Sequence, residues 1–232
     1  FKLGFSDNKQ PRFTFRINID KPLDEVYKNF HATTRKVLNK GNQYNLDIYK
    51  GTSNDIKDFY LTMEETAKRE GIMQASIDYY RNFYEIFHQD NMSDLYIAKV
   101  NTRKLHEQLT KEIKELENKE CKNDIQKKEN NDKIKKVNKL IDELDKIKEE
   151  VITLASIITV KYNDKVWTVH GGNNSCLMNL NANYLLYYEI IKDANKDNKM
   201  PLFIAIDEEG EKMHFSTFAA DAKVRMVPKS VA

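Results

Sequence analysis

The stretch VHGGNNS, Val169 to Ser175, gathers several groups able to do chemistry. The 232-residue chain holds only seven glycines, and two of them, Gly171 and Gly172, are adjacent here, where a strand pattern gives way to a helical one. Glycines at such a junction can cradle a phosphate, because their N–H groups reach an anion at a helix N-terminus. No Arg or Lys stands beside this pair to balance a diphosphate, so acyl-CoA is disfavoured. The expectation is instead a close approach of backbone to backbone or to an uncharged ligand. His170 is the one candidate general base at the junction, set against a structural histidine at a strand end. Asn173, Asn174 and Ser175 can orient a peptide substrate, and are equally ordinary at a helix entry.

Other candidates lie upstream. Arg35, Lys36 and Lys40 can form an anion site towards the end of the first long helix, although cations favour helix C-termini for dipole reasons alone. Tyr79, Tyr80, Phe83, Tyr84 and Phe87 recur at helical spacing and can line a substrate cleft or a core. Glu189 and Asp193 share a helix face, but no histidine accompanies them, so no metal site is expected. No Cys–His or Ser–His–Asp pattern for a covalent nucleophile stands out.

The elements that must position these groups follow from periodicity. FTFRINI alternates as a strand; Asp20 then caps one helix that Gly41 follows. Asn45–Lys50 is a second strand. Thr52 and Asp55 form a capping pair for a helix stopped by Gly71, and Ser76 caps the aromatic helix. Ser93–Asn101 is a third strand. ASIITVKY and KVWTVH flank an Asn163-Asp164 hairpin turn; a helix runs from about Asn179 to Asn198 and a strand covers Leu202–Asp207.

Between Arg103 and Glu150 there is no Gly, Pro or aromatic residue, and Lys and Glu dominate. Leu105, Leu109, Ile113 and Leu116 mark one seam, and Ile134, Val137, Ile141 and Leu144 another. KNDIQKKENND separates them as a polar break. Two antiparallel helices of about 18 residues each fit, as an arm outside the core. The division is therefore residues 1–102, an arm over 103–150, and residues 151–232. Basic and acidic residues nearly balance along the arm, which suits a partner helix or a dimer contact as well as it suits nucleic acid.

Composition bounds the rest. Forty per cent hydrophobic residues can build a core, and a net charge of +2 gives no global basic field. Cys121 and Cys176 follow no metal spacing and read as reduced cytosolic thiols. No apolar run approaches the roughly 20 residues of a membrane span. The first residue is Phe1 rather than Met, which suggests a fragment.

From Asn45, with the arm set aside, the order strand, two helices, three strands, helix, strand resembles the acetyltransferase-like (GNAT) core. The pieces QPRFTFRINI, TTRKVLNKG, DFYLTMEETAKREGI, VWTVHGGNNS and NYLLYYEIIKDA, in that order around a charged arm, resemble the second acetyltransferase-like unit of the Fem-type (FemABX) aminoacyltransferases. The fold so implied is α/β, a GNAT-like mixed sheet with an inserted antiparallel helical hairpin. The resemblance implies peptidoglycan interpeptide-bridge formation in the cytoplasm, peripherally at the inner face of the membrane. Aminoacyl-tRNA would be the acyl donor with no other cofactor, and a lipid-linked or UDP-linked muropeptide the acceptor. It implies substrate-binding positions at Arg35, Lys36, Lys40, Tyr79, Gly171, Gly172, Asn173 and Asn174. Departures are specific: Asn39 replaces a basic residue, Ala75 stands where the family has a phosphate-contacting Arg, and Ala219 and Ala220 stand where it has lysines. A degenerate, non-catalytic domain binding a partner through the arm is the alternative, with a CoA-dependent N-acyltransferase the third reading.

Overall fold

Strand β3 (Ser93–Asn101) shows how the sheet sorts its sequence: Leu95 and Ile97 face one side, Tyr96, Ala98 and Val100 the other, and all five are buried. Successive strand side chains alternate faces, so an apolar run of this kind belongs to a sheet covered on both sides. The computed structural model describes residues 14–163, 165–196 and 202–205. The remaining strands are β1 (Thr14–Ile17), β2 (Asp47–Gly51), β4 (Val151–Tyr162), β5 (Lys165–Asn173) and β6 (Leu202–Ala205). They form a six-stranded mixed sheet in the order β1-β6-β5-β4-β3-β2. All neighbours are antiparallel except β5 and β6, which run parallel over Val166–Thr168. Helix α7 (Ala182–Lys196) makes the crossover that a parallel pair requires.

The helices cover both faces. On one side α3 (Ile56–Glu70) and α4 (Ile77–Gln89) pack Ile56, Phe59, Tyr80 and Tyr84 against Leu95, Ile97 and Ile158. On the other, α7 lays Leu186, Ile190 and Ile191 into the larger core with Leu38 and Ile157. Three caps read from sequence are present: the Thr52–Asp55 box precedes α3, the Ser76 hydroxyl accepts from Tyr79 N–H, and Gly71 turns left-handed at φ 67°. Asp20 is not a cap, because α1 starts after Pro22 with no side-chain cap.

Five further expectations need correction. The first helix is two, α1 (Leu23–Lys28) and α2 (Ala32–Gly41), because the Arg35 guanidinium takes the carbonyls of Lys28 and Phe30 and His31 caps the second. Gly41 ends α2 from within, buried against Leu185, and Asn45 makes the turn at φ 48°. The charged segment forms α5 (Thr102–Glu117) and α6 (Asp124–Leu144), so most of KNDIQKKENND is helical, started by the Asn123 cap. The base of this hairpin is no free arm: Leu105, Leu109, Val137, Leu140 and Leu144 are buried in the main core. Thr102 N–H donates to the Glu150 carbonyl at 2.9 Å, closing the hairpin at its root. Finally, α7 starts at Ala182, after a 3-10 turn at Met178–Leu180. Asn163 has the expected positive φ of 52°, while Asp164 and the residues from 206 onward, Ala219 and Ala220 among them, lie outside the described residues.

Candidate functional site

The glycine pair does not sit in a loop. Both residues belong to β5, Gly171 opposite Ile157 and Gly172 opposite Ser156 of β4. A Cβ on Gly172 would fall 2.5 Å from the Thr62 carbonyl carbon and from Met63 N, so only glycine lets α3 lie this close to the strand. Backbone meets backbone there, and no ligand is needed to explain the residue. Gly171 faces the other side, is exposed, and would place a Cβ in ordinary contact with Ile157 at 3.5 Å.

Around this contact α3 satisfies the end of the strand. The Thr66 hydroxyl accepts from Asn173 N–H at 2.8 Å, and Arg69 Nη1 donates to the Asn173 carbonyl at 3.3 Å. Thr62 donates to the Phe59 carbonyl, and its buried hydroxyl is hydrogen-bonded to that of Ser156. Asn174 is equally committed: N–H to the Leu154 carbonyl, Nδ2 to the Thr153 carbonyl, and Oδ1 accepting from Cys176 N–H. Asn174 thus shapes the end of β5 with both its backbone and its side-chain amide, whereas Asn173 is held there by its backbone. Arg69 also reaches Ser175 Oγ at 3.4 Å.

Beyond Asn174 the chain lines a shallow depression of about 30 Å³, bounded by Leu154, Asn173, Asn174, Cys176, Leu177, Met178, Ala182 and Asn183. Leu177 is buried, its backbone at φ 54°. A left-handed non-glycine residue costs about 1–2 kcal/mol. Its N–H is held by Glu143 Oε2 of α6 at 3.2 Å, and a hydrogen bond to a charged group contributes about 1.5–3 kcal/mol. The two are of comparable size, so the contact from the helical hairpin can offset the strain of the loop. The surroundings are negative. Burial, then Glu65, Glu143 and Glu149, push the Cys176 thiol above its ordinary pKa. Arg69 on Asn173 and Ser175 is a cation beside the junction that the sequence did not place there, so the expected lack of nearby positive charge is corrected by the fold.

His170 lies on the α3–α4 face, edge-on to Tyr79, Tyr80 and Phe83 at 5.9, 5.2 and 5.1 Å. Burial lowers its pKa, and Nε2 is buried without a hydrogen-bond partner. As seated, the imidazole is a neutral packing group and does not face the depression's lining. Tyr79 is 47% exposed beside it, whereas Tyr80 and Tyr84 are core, so the aromatic stripe divides between the two readings. Ala75 packs on that smaller core. Arg35 is spent on the Lys28 and Phe30 carbonyls; Lys36 is exposed, and Lys40 sits over the Tyr44 ring at 5.7 Å. The structure therefore brings Gly171, Gly172, Asn173 and Asn174 together and leaves Arg35, Lys36 and Lys40 elsewhere.

Glu143, Leu177, Thr66 and Arg69 were not among the groups singled out from sequence. Thr62 and Thr66, four apart on an otherwise apolar helix face, carried a usable signal; Leu177 carried none. Glu189 pairs with Lys192, and Asp193 with Lys50 and Lys196. No group of three or more His, Cys, Asp or Glu among the described residues is placed to hold a metal.

A model of the FemAB family matches residues 1–201. The chain belongs to the FemAB family. A relative named lipid II:glycine glycyltransferase, from Staphylococcus haemolyticus, is 25% identical over 214 residues, covering 84% of this chain and 51% of the relative. The protein of that name from Staphylococcus epidermidis is 27% identical over 209 residues, covering 84% and 50%. The chain spans about half the length of the curated relatives it matches. The crystal structure of FemX superimposes with a TM-score of 0.65 at 22% identity, over 95% of this chain and 60% of that one. At that identity the likeness speaks for the FemAB fold alone. Among the described residues no helix is long and apolar enough to cross a membrane.

Proposed function

We propose that this FemAB-family chain is an acetyltransferase-like unit of a longer enzyme that moves an amino acid onto a peptidoglycan-precursor peptide in building interpeptide bridges. Family membership carries the reading, with relatives named lipid II:glycine glycyltransferases beside it. The parallel β5–β6 pair with its α7 crossover supports a GNAT-like core.

The chemistry suits the site. The acceptor's primary amine attacks the carbonyl of an aminoacyl ester; an amide C–N bond forms, the ester C–O bond breaks, and the tRNA ribose hydroxyl leaves with the proton the amine releases. An ester is already activated, so positioning the two reactants is the main requirement. The carboxylates of Glu65, Glu143 and Glu149 near Cys176 suit an approaching amine, and aminoacyl-tRNA as donor without a further cofactor belongs to the same family-based reading. A lipid-linked acceptor accords with the relatives' names, which would place the protein at the cytoplasmic face of the membrane. On α6, Lys128 and Lys135 are exposed opposite the seam of Val137, Leu140 and Leu144, but Asp142 is exposed on the same face and Lys139 pairs with Glu143. The face is therefore of mixed charge and favours no polyanion over a partner helix.

The test is transfer by the intact protein from charged, labelled tRNA to lipid-linked and UDP-linked muropeptides, expected to need both substrates. A second reading, a non-catalytic domain that binds a partner through the hairpin, is favoured by the engagement of Arg35, Gly172 and Asn174 in the fold. No transfer with any charged tRNA would select it, and micromolar binding of acyl-CoA in calorimetry would overturn the donor assignment.

A further inference from the structure

We propose that Glu143, which belongs to the helical hairpin, is a positioning residue for the depression at the end of β5: its carboxylate holds Leu177 in the backbone conformation that shapes the site. The inference rests on the reading that a substrate group occupies this depression.

Three observations converge. Leu177 lines the depression, its side chain is fixed in the main core, and its backbone is left-handed at φ 54°. Its N–H is bound at 3.2 Å by a group from outside its own loop, Glu143 Oε2 in the last turn of α6. That turn is anchored: Leu144 is buried beside it, and the root of the hairpin is closed by Thr102 bonding to Glu149 and Glu150. The opposite wall is tied to β4 by Asn174, which bonds Thr153 and Leu154. One wall of the depression therefore depends on the hairpin and the other on the sheet. Anything that shifts α6 relative to the sheet changes the gap between them.

The test compares Glu143→Ala with Glu143→Gln in the intact protein. Gln loses the charge but keeps an oxygen that can accept the Leu177 N–H; Ala loses both. Glu143→Ala is expected to speed amide hydrogen exchange around Leu177 at least tenfold while β3 and β4 stay unchanged, and Gln to remain within twofold of the parent. In the transfer assay Ala should raise the KM of one substrate at least fivefold with kcat held within threefold, and Gln should restore it. Unchanged exchange in Ala, equal damage from Gln, or altered exchange with parental kinetics each overturns the proposal. If the parent protein transfers nothing, the functional reading fails separately. Alkylation of Cys176, which lines the depression, then decides: faster in Ala than in Gln sustains the role of Glu143, and equal rates in the two overturn it.

Discussion

Gly172 of β5 touches Thr62 of α3 backbone to backbone, with the Thr62 carbonyl carbon 2.5 Å from where a Cβ would stand. Neither partner is the end of a flexible side chain, so a methyl group can be admitted only by moving α3 or the strand. Gly172→Ala should destabilise the protein by about 2–3 kcal/mol or more, the upper range of overpacking. Gly171→Ala, meeting only ordinary contacts at 3.5 and 3.6 Å, should stay within about 1 kcal/mol. Urea midpoints of the two variants check the contrast, and equal losses would mean that the close approach is not what fixes the residue.

The same contact encloses a hydroxyl pair. Thr62 donates its proton to the Phe59 carbonyl, so Ser156 must donate to Thr62. Thr62→Val strands the buried Ser156 donor and should cost about 1–3 kcal/mol. Ser156→Ala removes that donor and should cost less. The double variant should fall well short of the sum of the singles, because once both hydroxyls are gone no polar group is left without a partner. A double-mutant cycle in denaturant measures the coupling, and strict additivity would mean that the two hydroxyls are not hydrogen-bonded to each other.

Local signals carried much of the fold. The Thr52–Asp55 box, the Ser76 cap, the alternation of β3 and the seams through Leu109 and Val137 each depend on neighbours a few residues away, and each is present. What failed depended on distant partners. The apolar spacing of Val26, Phe30 and Leu38 continues across the α1–α2 break without Gly or Pro; a side-chain contact from Arg35 accompanies the interruption. The glycine pair reads as a loop because the object that needs the space, α3, is remote in sequence. The charged segment reads as an arm because its charge is visible and the core receiving its base is not. At the site, Leu177 has an ordinary apolar identity, and the contacts that accompany its left-handed backbone, its core packing and the Glu143 carboxylate, come from elements distant in sequence.

His170 and Asp94 should give the protein two separate acid-sensitive windows. Burial lowers the folded-state pKa of His170, whose unfolded value is about 6.5. Below that value the unfolded chain takes up a proton that the folded chain does not, so stability is full above about pH 6.5 and declines as pH falls towards the folded pKa, by at most about 1.4 kcal/mol per pH unit. His170→Phe keeps a ring among Tyr79, Tyr80 and Phe83 and should remove that slope. Burial alone would raise the Asp94 carboxyl, but Lys161 at 2.6 Å and Lys50 at 3.2 Å outweigh it and hold it below the usual range. Its contribution is present above about pH 4 and lost as pH falls through the depressed folded value. Unfolding free energies from pH 3 to 8, parent against His170→Phe and Asp94→Asn, separate the windows; a parental slope between pH 5.5 and 6.5 in His170→Phe would contradict the first.

Cys176 should be a slow thiol despite its exposure. Thiolate is the reactive form, and burial together with Glu65, Glu143 and Glu149 disfavours it. Near neutral pH its alkylation should therefore lag a free cysteine peptide severalfold, since each pKa unit changes the thiolate fraction about tenfold. Glu149→Gln, which removes one of these charges without touching the Glu143 contact to Leu177, should speed the reaction and shift its pH profile downward. Mass-resolved alkylation distinguishes Cys176 from Cys121. A rate equal to the free peptide, or one indifferent to Glu149→Gln, would mean that these carboxylates do not hold the Cys176 thiol in its protonated form.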